Sequence, residues 1–152
     1  MHGYNFTESL RRVLALSGEE AVRFQHEYVG SEHLLLALVA VPEGGGAVIL
    51  HALSVSADDI RRRVDQATKR GRLAILDPTR AFTSRAKRIL EYAMDSAREL
   101  GHADVGTEHL LIGLVREGNG IGGQVLRDAG VTEPLAIAQA TAWHAAERTG
   151  SP

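Results

Sequence analysis

The chain has 152 residues, of which 44% are hydrophobic and 24% charged, with a formal net charge of −2 at pH 7, and this composition predicts a globular domain or two small halves that share a core. The slight acidity gives no general attraction to polyphosphate, so nucleic acid is not an expected partner, and the absence of cysteine excludes disulfides, thiolate metal sites and a cysteine nucleophile. No apolar run approaches the ~18 residues of a membrane span, and the first residues lack the basic and apolar regions of a signal peptide, so we expect a cytoplasmic protein without membrane association.

Hydrophobic residues in the first half recur with helical spacing, and a capping residue stands before most of the helical segments. Thr7, Ser31 and Ser56 are the expected N-caps, because a hydroxyl oxygen can accept hydrogen bonds from the free N–H groups at a helix start. A proline and three glycines between residues 42 and 46 break the chain after the second helix. The predicted helices cover 7–24, 31–39, 47–53 and 56–71.

The second half repeats the first without a gap, 76 positions later. Val-Gly-Ser-Glu-His-Leu-Leu at 29–35 returns as Val-Gly-Thr-Glu-His-Leu-Leu at 105–111, and Phe-Thr at 6–7 returns at 82–83. This period is too long for a solenoid unit, whose repeats run ~20–50 residues. The sequence therefore predicts an all-α monomer with a pseudo-twofold axis between two four-helix units, eight helices in all, with no strand needed. The last four predicted helices cover 83–100, 107–116, 121–129 and 132–147.

The duplication also predicts how the chain divides. The first repeat covers residues 1–71, a linker covers 72–81, the second repeat covers 82–148, and residues 149–152 form a frayed tail. The motif helix of each repeat should supply buried leucines to the core. These are Leu34, Leu38, Leu110 and Leu114.

Several motifs suggest chemistry that the surrounding residues do not support. His33 and His109 each follow a glutamate, but a helical zinc site needs a second ligand four positions later, where the chain has alanine and glycine. We expect both histidines to pack or cap locally and no metal to bind. The glycines at 117–123 lack the preceding strand and the Gly-Lys-Ser/Thr of a phosphate loop, so they predict a helix–helix turn. No catalytic triad or carboxylate pair stands out, so we expect neither an enzyme nor a cofactor.

Glu32 and Glu108 each follow a predicted N-cap, where the helix dipole stabilises a carboxylate by roughly 0.3–1 kcal/mol. That structural role alone accounts for them. A binding role is also open, because Thr7 and Thr83 begin neighbouring helices in the same halves. Helix starts bind phosphate and a fixed carboxylate accepts a guanidinium, so together they can hold a ligand that carries both groups.

The paired motifs at 29–39 and 105–118 resemble the Clp amino-terminal repeat domain, and Phe-Thr-Ser-Arg-Ala-Lys-Arg-Ile-Leu-Glu at 82–91 is similar to the helix start in the ClpC branch of that family. The resemblance covers residues 6–142. It implies an all-helical pseudo-twofold domain that docks adaptors and substrates without being catalytic. Such domains are usually fused to AAA+ ATPase modules that unfold proteins for the ClpP protease, and this sequence contains no such module.

In ClpC-type members this domain recognises phosphorylated arginine as a degradation mark. The resemblance implies that Glu32 and Glu108 take the guanidinium and that the helix starts at Thr7 and Thr83 help to receive the phosphate. In actinobacterial members, cyclic peptide antibiotics bind along the first helices of the two repeats. The matching positions are Arg11, Leu14, Phe82, Lys87 and Glu91, with Glu91 expected to orient the ammonium of Lys87.

The first repeat departs from the family pattern at two places. Ser9 stands where the second repeat keeps Arg85, and residues 41–46 replace the charged Arg-Glu-Gly turn that survives at 116–118. These departures predict that Glu108 matters more than Glu32 for phosphoarginine binding.

Three functions remain open from the sequence. The first is recognition of phosphoarginine-marked or adaptor proteins, as part of a ClpC-type unfoldase or as a separate accessory. The second is sequestration of cyclic peptide antibiotics, which would protect ClpC. The third, which the composition and the missing catalytic set favour least, is a transcription regulator or enzyme with a borrowed fold.

Overall fold

Within residues 5–72 and 77–148, which the computed structural model describes, the chain forms eight helices. This number and the helical character confirm the predicted fold class. The helices in chain order are α1 Glu8–Arg23, α2 Ser31–Val39, α3 Gly45–Ala52, α4 Ala57–Ala67, α5 Ser84–Glu99, α6 Thr107–Glu117, α7 Ile121–Asp128 and α8 Glu133–Arg148. The predicted tail at 149–152 lies outside the described residues, as does part of the predicted linker.

Two short parallel ladders connect the repeats, so the expectation that no strand is needed was wrong. Strand β1 (Asn5–Phe6) pairs with β4 (Asp104–Val105), and β2 (Tyr28–Val29) pairs with β3 (Ala81–Phe82). Each strand has only two residues, too few for the alternating pattern by which strands are recognised in a sequence. Each ladder joins the segment before a long helix of one repeat to the segment before the motif helix of the other.

The long helices begin at the predicted caps. The Thr7 hydroxyl accepts a hydrogen bond from the N–H of Leu10 at 3.1 Å, and the Thr83 hydroxyl accepts one from Ala86 at 3.0 Å. In α4 the Ser56 hydroxyl accepts from Asp59 at 3.0 Å. These three contacts satisfy backbone donors that the first helical turn leaves without a partner.

The motif helices α2 and α6 begin differently from the prediction. Ser31 and Thr107 are the first helical residues, and the glycine before each is the N-cap. The hydroxyls of these two residues face the opposite repeat instead. Ser31 Oγ accepts from the N–H of Gly122 at 2.9 Å, and Thr107 Oγ1 accepts from the N–H of Gly46 at 2.8 Å.

These hydroxyl contacts require glycine on the partner helix. A Cβ added to Gly46 would lie 2.7 Å from the carbonyl oxygen of Thr107, and one added to Gly122 would lie 2.7 Å from that of Ser31. The start of α3 therefore lies against α6, and the start of α7 lies against α2. The two repeats interlock through reciprocal contacts, as the predicted pseudo-twofold requires.

Helix α4 is shorter than predicted. It ends at Ala67 and not near Gly71, because Thr68 has an extended backbone with φ −111° and ψ 133°. The chain then turns back on the first repeat, where the N–H of Gly71 donates to the carbonyl of Phe24 at 2.8 Å. In the second repeat, α8 continues through Arg148, so the last helices of the repeats differ in length, with 11 residues in α4 and 16 in α8.

One hydrophobic core runs through both repeats. The four leucines predicted from the motif, Leu34, Leu38, Leu110 and Leu114, are each 0% exposed, which confirms their assignment to the core. Helix α1 packs on α2, and α5 packs on α6 closely enough that a Cβ added to Gly113 would lie 2.4 Å from the carbonyl oxygen of Ile89. Among the described helices, none has the length and hydropathy to cross a membrane.

Candidate functional site

The ladders bring each motif glutamate beside the long helix of the opposite repeat. Glu32 lines a cavity of about 540 Å³ together with Thr83 and Arg85, which we call the Glu32 pocket. Glu108 lines a cavity of about 430 Å³ together with Thr7 and Ser9, which we call the Glu108 pocket. The prediction that each threonine serves the glutamate of its own half was wrong, because the repeats exchange these helix starts.

The Glu32 pocket has an open carboxylate. Glu32 is partly exposed, and among the described residues its side chain forms no hydrogen bond or ion pair. The carboxylate lies over Gly30, where an added Cβ would be 2.5 Å from Glu32 Oε1. Glycine at this N-cap therefore leaves room for the carboxylate at the floor of the pocket.

Basic groups also line the Glu32 pocket. Arg85, in the first turn of α5, and Arg72 both line it. The Nε of Arg85 contacts Glu117 Oε2 at 3.0 Å, which fixes the guanidinium near the start of α5. The pocket thus combines a free carboxylate with a helix N-terminus and two guanidinium groups, which suits a ligand with a cationic part and an anionic part.

In the Glu108 pocket, the carboxylate is occupied by a side chain from α8. Glu108 is 2% exposed, and its Oε2 accepts a hydrogen bond from Nε2 of His144. Trp143 lies edge-on to His144 and covers Gly45, where an added Cβ would be 2.8 Å from indole Cζ3. Burial raises the pKa of Glu108, while hydrogen bonds from its own backbone N–H and from His144 oppose that rise.

The lining of the Glu108 pocket is acidic. Glu43, Asp104 and Glu147 join Glu108 around the cavity, and no described lysine or arginine lines it. Ser9 stands where the other pocket has Arg85. Of these carboxylates Glu43 pairs with Arg12, and a phosphate would meet the others without a lysine or arginine in the lining.

A buried histidine accepts a backbone N–H at the start of each motif helix. His33 Nδ1 accepts the N–H of Gly30 at 2.9 Å, so the ring carries its proton on Nε2 and donates it to Nδ1 of His26 at 2.8 Å. His26 Nε2 then donates to the carbonyl of Lys69 at 2.6 Å. Burial is the main cause that lowers the pKa of His33 to about 3, and the charges of His26 and Arg23 add to it.

The second repeat has the same arrangement at His109, whose pKa burial also lowers to about 3. His109 Nδ1 accepts the N–H of Gly106 at 2.9 Å, and its Nε2 lies 2.8 Å from Nδ1 of His102. These contacts confirm the prediction that His33 and His109 cap locally.

Two groups of side chains have the composition of a metal site, His102 with His109 and His144, and His26 with Glu32 and His33. The hydrogen bonds argue against coordination in both. In each group the buried histidine uses its Nδ1 lone pair to accept a backbone N–H, and its Nε2 carries the proton. A metal ligand needs a free nitrogen lone pair, which neither His33 nor His109 offers.

The positions expected to contact a cyclic peptide lie along the first halves of α1 and α5, except Phe82, which lies in β3 just before α5. Arg11 and Lys87 are exposed, whereas Leu14 and Phe82 are half-buried against the core. Glu91 contacts Arg88 at 3.6 Å, so the structure does not place it as the partner of Lys87.

Sequence reasoning missed Trp143, His144 and Arg72 as pocket residues. The duplication contained a signal for the first two, because the equivalent positions in the first repeat are Ala67 and Thr68. An aromatic pair present in one repeat alone indicates that the two pockets differ.

Comparison with known proteins agrees with the motifs. Residues 5–75 and 81–146 match the Clp repeat (R) N-terminal domain family. The chain is 43% identical over 146 residues to the negative regulator of genetic competence ClpC/MecB of Bacillus subtilis, which covers 96% of this chain and 18% of that protein. It is 45% identical over 129 residues to the chaperone protein ClpB of Oceanobacillus iheyensis, which covers 84% of this chain and 16% of that protein. The chain thus spans a small part of these relatives.

Solved structures share the fold. The N-terminal domain of the caseinolytic protease associated chaperone ClpD from Arabidopsis thaliana superposes with a TM-score of 0.70 at 27% identity, over 90% of this chain and 92% of that one. The Hsp104 N-terminal domain of Candida albicans gives a TM-score of 0.72 at 17% identity, over 97% and 93% of the two chains. From its two matched repeats, this chain belongs to the Clp repeat (R) N-terminal domain family.

Proposed function

We propose that this chain is a non-catalytic recognition domain of the Clp unfoldase and protease system, which binds phosphoarginine-marked proteins or adaptors at the Glu32 pocket. The observation that supports this most is the open Glu32 carboxylate in one cavity with the start of α5 and with Arg85. A phosphoarginine side chain carries a guanidinium and a phosphate on adjacent atoms. The pocket offers an acceptor for the first and donors for the second.

The donors for the phosphate come from two sources. The start of α5 presents backbone N–H groups and the positive end of the helix dipole. The guanidinium groups of Arg85 and Arg72 add charge-assisted hydrogen bonds, which are stronger than neutral ones. All of these groups except Arg72 belong to the second repeat, whereas Glu32 belongs to the first, so each repeat supplies part of the site.

This assignment reverses the order of the two sites that the sequence predicted. Arg85 was expected to strengthen binding at Glu108, but it lines the Glu32 pocket. The Glu108 pocket has Ser9 in its place and carries several carboxylates. Under the proposal, Glu32 contributes more to phosphoarginine binding than Glu108.

Isothermal titration with free phosphoarginine tests the proposal. Glu32→Gln keeps the size of the side chain and removes its charge, so we expect a loss of ~1.5–3 kcal/mol, roughly 10- to 150-fold in affinity. Arg85→Ser, which copies the first repeat, should also weaken binding. Glu27→Gln is a matched control, because Glu27 lines the same pocket but lies outside α2. A wild type that binds no phosphoarginine, or a Glu32→Gln variant with unchanged affinity, contradicts the proposal.

A second candidate function is sequestration of cyclic peptide antibiotics along α1 and α5. In favour of this function, Phe82 is partly exposed, and Arg11 and Lys87 are exposed and occupy equivalent positions in the two repeats. An aromatic face with two flexible cations can cover apolar ligand carbon and donate to peptide carbonyls.

A competition experiment tests this second function. Excess wild-type chain should relieve the effect of a ClpC-directed cyclic peptide on a ClpC unfoldase, and Phe82→Ala should abolish that relief while phosphoarginine binding persists. The absence of relief at stoichiometric excess would leave recognition of marked proteins as the only proposed function.

A further inference from the structure

The carboxylate of Glu108 already has an occupant from its own chain. The Nε2 of His144 donates to Glu108 Oε2, in the way that a guanidinium N–H of a ligand would. Only 2% of Glu108 is exposed. In the other pocket, Glu32 is partly exposed and has no such partner among the described residues.

The side chains around His144 hold it in this position. Its ring stacks on His102 with the centroids 3.5 Å apart and an angle of 8° between the planes. Trp143, the preceding residue, lies with its ring centroid 5.5 Å from that of His144 and covers Gly45 of the opposite repeat. Rotation of His144 away from Glu108 would therefore also break the stacking on His102.

The difference between the repeats follows from the length of their last helices. Helix α4 ends at Ala67, so the first repeat has no helical residue at the position equivalent to His144. That position holds Thr68. Helix α8 continues through Arg148, and this extension, which begins after Trp143, carries His144 to the pocket.

We propose that His144 is a built-in partner of the Glu108 carboxylate, so that the chain offers one carboxylate that is open to a cationic ligand and one that its own α8 occupies, an arrangement that we call the closure. The closure makes His144 a residue that determines specificity, because it sets how many cationic ligands the domain accepts. This inference rests on the proposed function for the class of ligand, a guanidinium compound. The closure itself rests on the contacts of His144.

Trp143 provides a direct reporter, because it is the only tryptophan in the chain and it lines the Glu108 pocket. Arginine amide is a suitable probe, since it carries a guanidinium and no phosphate to meet the acidic lining. In the wild type, Trp143 fluorescence should stay unchanged on titration. His144→Ala should give a saturable change with an apparent affinity at least roughly 10-fold tighter than any wild-type response. The double variant His144→Ala with Glu108→Gln should not show this fluorescence change.

Circular dichroism shows whether each variant keeps its helices, and His144→Ser is a second opening variant if His144→Ala unfolds. His51→Ala is the control for loss of a histidine, because His51 is exposed on α3 and lies outside both pockets. A wild type whose Trp143 responds to arginine amide as strongly as the opened variants overturns the closure. Folded opening variants that give no response overturn it as well.

Titration calorimetry separates this inference from the proposed function. Wild-type chain should bind about one equivalent of phosphoarginine. Glu32→Gln should weaken this binding roughly 10- to 150-fold, whereas Glu108→Gln should leave it unchanged. A stoichiometry of two with equal dependence on both glutamates overturns the closure. If the wild type binds no phosphoarginine but His144→Ala gains the Trp143 response, the proposed ligand is wrong and the closure stands.

Discussion

His33 and His109 show how a single side chain can serve as a cap and as part of the core. Each ring accepts the N–H of the glycine before its helix, and each is almost fully buried. A charged ring could not accept this hydrogen bond, since both nitrogens of an imidazolium are donors. The fold therefore depends on keeping both rings neutral.

This dependence predicts that the domain loses stability in mild acid. The pKa of each ring falls from 6.5 to about 3 on folding, so the unfolded chain binds more protons than the folded one between those values. The free energy of unfolding should fall as the pH drops from about 6.5 towards 3, by about 1.4 kcal/mol per unit for each ring. Urea unfolding at several pH values between 7 and 4 measures this fall in the free energy of unfolding.

The matched variant for this test is His33→Asn with His109→Asn. Asparagine places its oxygen near the position of Nδ1 and does not titrate, so the variant should be less stable at pH 7 because of the smaller side chains but less sensitive to acid. His51→Asn, on the surface of α3, should behave like the wild type. A double variant with the wild-type slope against pH would show that these rings do not cause the acid sensitivity.

Glu108 gives a second prediction at the same scale. Burial raises its pKa above 4.5, so its charged form costs stability at neutral pH, and this cost disappears as the pH falls below 4.5. Glu108→Gln should therefore raise the melting temperature at pH 7, and the gain should shrink towards pH 4. Glu32→Gln, at a partly exposed position, is the control and should change the melting temperature less. The compared quantity is the melting temperature of Glu108→Gln minus that of the wild type. If this difference is smaller at pH 7 than at pH 4, the expected pH dependence is contradicted.

The local motif left a binding role open for Glu32, Glu108, Thr7 and Thr83, and the resemblance to the Clp repeat domain implied one. It did not identify which threonine meets which glutamate. That pairing depends on two-residue ladders between repeats, whose pattern is too short to recognise in a sequence. His144 was missed because its contact with Glu108 links residues far apart in the sequence, and the one local signal was its difference from Thr68 at the equivalent position of the first repeat.

At the scale of the elements, hydroxyls on α2 and α6 hold the repeats together. Thr107 accepts a hydrogen bond from Gly46 across the pseudo-twofold, and the bond is buried. Thr107→Val keeps the shape of the side chain and leaves the N–H of Gly46 without an acceptor, which should cost ~1–3 kcal/mol of unfolding free energy. Chemical denaturation measures the loss.

Thr132→Val is the matched control for this change. The Thr132 hydroxyl accepts from Leu135 at 3.3 Å on the surface near the start of α8, so water can replace it. We expect a cost of ~1 kcal/mol or less, in the range of an exposed cap. Equal losses for Thr107→Val and Thr132→Val would mean that the contact between repeats adds nothing beyond a cap.

The helices themselves followed from local signals. Thr7, Thr83 and Ser56 cap as predicted, because their hydroxyls act within one turn of their own helices. Ser31 and Thr107 were assigned to the same role, but they are the first residues inside their helices, and their hydroxyls bind the opposite repeat. The end of α4 was misplaced because contacts with Phe24, far away in the sequence, determine it.

At the scale of the whole molecule, the two repeats are not independent. Both ladders, both pockets and the hydroxyl contacts of Ser31 and Thr107 combine residues of the two repeats. Helix α3 packs on α6, and α2 packs on α7, so the core crosses the pseudo-twofold. A single repeat would expose these apolar faces to water, and few chains of its size fold alone with so much of their core missing.

This interlocking predicts that residues 1–76 and 77–152, produced separately, do not fold. Each half should show a weak helical signal in circular dichroism and no cooperative melting, whereas an equimolar mixture should regain helicity and melt in one transition. Phosphoarginine binding should return only in the mixture, because Glu32 is in the first half and Thr83 and Arg85 are in the second. The intact chain cleaved at a protease site inserted within residues 73–76 is the control, since its halves are already assembled. A half that melts cooperatively alone, or that binds phosphoarginine alone, would show that the repeats fold as separate units and that the site does not need both.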